Sequence, residues 1–151
     1  MDPIGIIVSA LTSGAAAGLK PTAENAIKDA YAGLKSMIQR KYSRIDLLPL
    51  ENKPESQSKR ESVAEDLVDA GATGDQELLD LAKAVIDAVA VHDKAAATVV
   101  GVDLEEVKAA YLDIKKVTTS GAGIRIKKSE FEGGIDIGEV NAGEAGESPN
   151  P

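Results

Sequence analysis

The sequence predicts a mainly α-helical protein, a bundle of four to five helices with a small C-terminal β-meander or β-solenoid-like appendage. Three observations predict it. The first twenty residues hold an uncharged apolar run with helix punctuation at both ends. Two later stretches repeat apolar residues at the three-and-four spacing of an amphipathic helix. From Leu112 onward the apolar period falls to two, the period of a strand. The expected division is a helical domain over residues 1–108, a β-repeat appendage over 109–141 and a disordered tail over 142–151.

Composition supports the helical part. Hydrophobic residues make up 43 % of the chain and aromatics only 3 %, with no Trp. The core must therefore be built from Ala, Leu, Ile and Val, which suits closely packed helices. Cys is absent, which excludes disulfides, thiolate metal sites and a Cys nucleophile and fits a reducing cytoplasm. The net charge is −8, unevenly spread: residues 1–50 carry six basic and four acidic side chains, the remainder eleven and twenty-one. The acidic part argues against nucleic acid as a partner, because no basic stripe is available to replace phosphate counterions. The mildly basic first third tolerates an anionic membrane surface.

Asp2 suits the N-cap of the first helix, Pro3 its first turn, and Pro21 its stop. No charged residue lies between Asp2 and Lys20. Ile4, Ile6, Ile7, Val8, Leu11, Gly14, Gly18 and Leu19 are its candidate packing or membrane-active residues. A helix apolar on every side belongs in a protein core or in lipid. The run is no signal peptide, since it lacks a basic leader and begins on Asp2. Seventeen uncharged residues span about 26 Å, short of a hydrocarbon core of about 30 Å, which argues against a constitutive span. Two readings stay open: a permanent core helix, and a helix released into membrane on demand. Gly14 and Gly18 form a small-xxx-small pair that lets another helix approach, which serves either reading.

Thr22 is expected to cap a second helix, in which Ile27, Tyr31, Leu34, Ile38 and Tyr42 form one stripe. Arg40, Lys41 and Arg44 at its end suit the helix dipole. The segment RIDLLPLENKP reads as a linker, with Ile45, Leu47 and Leu48 tucked back on the bundle. A third helix is expected from Pro54 to Ala70, polar in its first half and stopped by Gly71. A fourth starts near Asp75, buries Leu78, Leu79, Ala82, Val85, Ile86 and Val89, and ends at His92 and Asp93. A short fifth runs from Lys94 to Val100 before Gly101, and Asp103 caps a last turn from Leu104 to Lys108.

Three similar segments follow: LDIKKV from Leu112, IRIKKS from Ile124 and IDIGEV from Ile135. Their starts lie 12 and 11 residues apart, and the spacers TTSGAG and EFEGG carry glycines that turns use. In-register parallel stacking pairs Arg125 with Asp136 and Lys128 with Glu139; an antiparallel hairpin brings Lys127 near Asp136 instead. The candidate self-assembly residues are Ile114, Ile124, Arg125, Ile126, Lys128, Ile135, Asp136, Ile137 and Glu139. So short a sheet must add strands from another chain or lie on the helices.

No catalytic constellation is visible. His92 is the sole histidine, and no nucleophile-elbow serine accompanies it. Asp103, Glu105 and Glu106 read as the capped acidic start of a helix. Glu65, Asp66 and Asp69 match no metal-ligand spacing, and GATGD lacks a phosphate-binding Lys. No enzyme activity, cofactor or metal is expected.

The stretch MDPIGIIVSALTSGAAAGLKPTAENAIKDAYAGLK resembles the Bell domain, the bacterial counterpart of fungal HeLo-type domains, found in small proteins encoded beside bacterial immune receptors. The resemblance implies a helical bundle with an apolar, Gly-rich first helix and a C-terminal β motif templated by a receptor's matching motif. It implies a non-enzymatic immune effector: assembly through Ile124 to Val140 frees Ile4 to Leu19 to disrupt membrane. The implied partners are further copies of the chain, such a receptor, and membrane lipid. The alternative is a soluble homo-oligomeric adaptor or scaffold of a conflict system, without membrane activity. A weaker third reading is a regulatory partner of an enzyme encoded nearby.

Overall fold

Asp2 opens the first helix: its carboxylate accepts the Gly5 N–H at 2.7 Å, and Pro3 takes the first helical position. The structure, a computed structural model, describes residues 1–129, with side chains described to residue 117. The described residues form α1 (Pro3–Gly18), α2 (Asn25–Lys41), α3 (Leu48–Asn52), α4 (Gln57–Asp69), a 3-10 turn (Ala72–Gly74), α5 (Gln76–His92), α6 (Lys94–Val99) and α7 (Leu104–Ser129). The protein is mainly α-helical, and no strand occurs among the described residues. Contacts divide the chain into two units, Met1–Tyr111 and Leu112–Pro151.

In the first unit α1 is the central element. It packs against α2 and α5 most extensively, and also meets α3, α4 and α6. α2 begins later than expected. Its cap is Glu24, which makes no side-chain hydrogen bond, and Thr22 falls in the turn closed by Ala23 N–H to the Lys20 carbonyl. The stripe of Ile27, Tyr31, Leu34 and Ile38 is buried as its spacing requires, and Met37 joins it. The linker contains a helix of its own, α3, with Pro49 in its first turn. Ile45 and Leu47 tuck in with Leu50, but Leu48 is 57 % exposed, contrary to expectation.

α4 starts at Ser56, whose hydroxyl accepts the Lys59 N–H, and Gly71 ends it with φ +82°, a conformation that costs a residue with a Cβ. Only Val63 and Leu67 of α4 are buried; Val68 faces outward. Asp75 caps α5 by accepting the Leu78 N–H at 3.0 Å, and all six residues expected on its apolar face are buried. Asp93 caps α6 and Asp103 caps α7, each through backbone N–H groups one turn ahead.

The β appendage is corrected by α7. Helix continues through the first two proposed strands, so Ile114, Ile124, Arg125, Ile126 and Lys128 stand on a helix. The third segment, with Ile135, Asp136, Ile137 and Glu139, lies outside the described residues, as does the tail expected over 142–151. The misreading has a physical source. Leu104, Val107, Tyr111 and Ile114 recur at three and four, a helical spacing that overlaps the alternation of Leu112 and Ile114. A strand puts Leu112 and Ile114 on one face; here Leu112 is 61 % exposed and Ile114 is half-buried. A single helix satisfies its own backbone, whereas a short sheet leaves unpaired edges.

Candidate functional site

The element to which the sequence assigns function is α1. Twelve of its sixteen residues are buried. Ile6, Ile7, Ala10, Leu11 and Ala17 have no exposed surface, and Ile4 and Val8 are nearly as covered. Leu19 lies past the helix end and is 50 % exposed. The glycine pair is used inside the fold. A Cβ on Gly14 would lie 2.7 Å from Cδ1 of Tyr31 on α2 and 2.8 Å from Cγ1 of Val85 on α5. A Cβ on Gly18 would lie 3.3 Å from Cγ2 of Ile27. Two neighbours thus close onto α1 where side chains are missing. Ser13 is buried and its hydroxyl donates to the Ser9 carbonyl at 2.8 Å.

Membrane disruption by this helix is corrected by two findings. No helix among the described residues is long and apolar enough to cross a membrane. The sixteen residues of α1 span only about 24 Å, against a hydrocarbon core of about 30 Å. Its apolar surface is already spent on α2 and α5.

Polar ties surround this core, and the sequence reading missed them. The Tyr31 hydroxyl donates to the Glu51 carboxylate at 2.6 Å, and Lys35 pairs with the same carboxylate at 2.8 Å. Burial holds the Tyr31 phenol well above its usual pKa, and the bond to Glu51 and that residue's charge add to the rise. Glu51 sits on α3, within the segment read as a linker. The signal that could have found it is Tyr31 itself, because a buried phenol needs a partner. Asp75 forms a second tie. It accepts from the Tyr42 hydroxyl at 2.7 Å and Lys41 Nζ at 3.0 Å while it caps α5. Burial alone would raise its carboxyl; Tyr42, the Leu78 N–H and Lys41 outweigh burial and hold the pKa below its usual value. Lys20 bridges the end of α1 to Asp93 at 2.8 Å, and Arg60 on α4 donates to the Val100 carbonyl at 2.6 Å.

The remaining candidates are dispersed. His92 is exposed in the last turn of α5. Asp103 accepts the N–H groups of Glu105 and Glu106 at 3.1 and 3.2 Å. Among the described residues no cluster of His, Asp or Glu is placed to hold a metal ion. A depression of about 440 Å³ beside the end of α2 mixes Lys41 and Arg44 with Asp66 and Asp69. The model of one family, HetE-N, the Het-E N-terminal domain, matches residues 1–144. No curated protein and no solved structure matches the chain.

Proposed function

Starting from the chain's membership in the Het-E N-terminal domain family, we propose that it is a non-enzymatic, self-associating adaptor or scaffold module of a conflict system, acting without membrane insertion. The observation that carries this reading is the burial of α1 on nearly all sides, with Gly14 gripped between Tyr31 and Val85. A helix held in that way is a core that stiffens a platform. A family described as an N-terminal domain supports a modular role, since such a domain serves what it is joined to. In this reading the Bell- or HeLo-like bundle is α1, α2, α4 and α5 with α6 as a fifth member, and α3 and α7 are attachments to it. The partners are further copies of the chain and a protein component of the same system.

Sedimentation equilibrium of the full chain, beside dye-loaded vesicles of anionic and neutral lipid, tests the reading. The expected result is a mass that rises with concentration while the vesicles stay sealed at every concentration. Leakage that appears as the protein assembles would overturn it, and so would a monomer at all concentrations.

A further inference from the structure

The chain enters α7 from a fixed stem, the end of α6. Arg60 on α4 donates to the Val100 carbonyl at 2.6 Å. The Val102 N–H donates to the Ala97 carbonyl at 2.9 Å, across Gly101 at φ +79°. This pattern closes a helix on a glycine and ties the chain down as far as Val102. The next bonds belong to α7 itself. The Asp103 carboxylate accepts the N–H groups of Glu105 and Glu106, and Glu105 pairs with Lys108 at 3.9 Å.

Beyond Val102 the first two turns of α7 are fastened to the bundle by side chains. Leu104 and Val107 are buried, and Val107 lines a depression of about 350 Å³ together with Gly5, Val8 and Ser9 of α1. One turn further on, the Tyr111 hydroxyl donates to the Asp80 carboxylate of α5 at 2.8 Å, and the Lys83 ammonium lies 5.1 Å from the centre of its ring. Burial, the bond to Asp80 and the charges of Asp80 and Asp87 push the phenol up to about 12, so it keeps the proton that it donates. Yet α7 takes no part in the extensive packing by which α1, α2 and α5 hold one another. We propose that residues 103–111 are a strap with Tyr111 as its latch, which swings open about Val102 while α1, α2 and α5 stay closed. Opening bares the Val8 side of α1 and the strap's own Leu104 and Val107, an apolar surface that the closed fold hides. Moving elements in proteins are drawn from such weakly fastened units. The opening does not depend on self-association.

The chain has no cysteine, so a single introduced thiol reports opening without background. Val107→Cys places one under the strap, and Val85→Cys places one in the core of α5, where Val85 is fully buried. Each full-length variant is first shown to keep the wild-type helical circular-dichroism spectrum, then labelled with a thiol-reactive dye in increasing low concentrations of urea. The Val107→Cys thiol should label at least about tenfold faster than the Val85→Cys thiol, with a weaker dependence on urea, because the strap exposes less surface in opening than the whole fold does in unfolding. Adding Tyr111→Phe should speed labelling at Val107→Cys several-fold and leave labelling at Val85→Cys unchanged. Equal rates and equal urea dependence at the two positions would mean that the strap leaves only when the whole fold unfolds, and would overturn the proposal. A Tyr111→Phe change that leaves the Val107→Cys rate as it was, or that speeds both thiols alike, would overturn it too.

Discussion

Gly14 of α1 lies so close to Tyr31 of α2 that a Cβ at that position would come within 2.7 Å of the ring. Val85 of α5 closes the other side at 2.8 Å. Gly14→Ala should therefore destabilise the fold, with overpacking of about 1–3 kcal/mol outweighing the gain in helix propensity. Gly33, inside α2 with nothing within 4 Å of its Cβ position, is the control. Gly33→Ala should stabilise by about 0.5–1 kcal/mol. Urea midpoints of the two variants, moving in opposite directions from wild type, check both expectations.

The Tyr31–Glu51 bond ties α3 to the bundle beside this contact. Glu51's side chain is 9 % exposed, so Tyr31→Phe leaves a largely covered carboxylate with Lys35 alone. A loss of about 1.5–3 kcal/mol is expected, the range for hydrogen bonds to charged groups. Tyr31→Phe combined with Glu51→Gln should cost less than the two single changes added. A double-mutant cycle by chemical denaturation measures that coupling.

Acid should loosen the junction of α2 and α5. The Asp75 carboxyl has a folded pKa below its ordinary value of 3.8. Asp93 is lowered too, chiefly by its bond to Lys20. A depressed folded pKa means that the unfolded chain binds the proton more readily as pH falls. The stabilisation is complete above the unfolded value near 3.8 and is lost as pH drops through the lower folded values. Asp75→Asn should lower stability at neutral pH. The gap to wild type should shrink below about pH 4 in melts taken across an acidic series.

The helical state of α7 makes Gly121 and Gly123 interior helix residues rather than turn residues. Replacing both with Ala should raise the helical circular-dichroism signal of the full chain, by up to about 1 kcal/mol of propensity per site. Turn glycines between strands would give the opposite result, a loss of order.

Most of the first unit was legible in the residues. Asp2 with Pro3, Asp75, Asp103 and Gly71 mark helix ends through bonds made within one turn, and the α5 stripe names its own buried face. Such signals are local, so a sequence carries them whole. Thr22 misled because Pro21 and Ala23 draw it into a turn, and α2 starts three residues later, at Asn25.

What lay beyond the sequence was every feature that depends on a distant neighbour. Composition makes α1 greasy on all sides but does not say whether protein or lipid covers it; α2 and α5, folded onto Gly14, do. Glu51 became a partner of Tyr31 only when α3 brought it there. Alternation at Leu112 and helical spacing from Leu104 coexist in the same residues, and the backbone took the helix, whose hydrogen bonds need no second strand. Local pattern limits which shapes a segment can take, and burial against the rest of the chain selects among them.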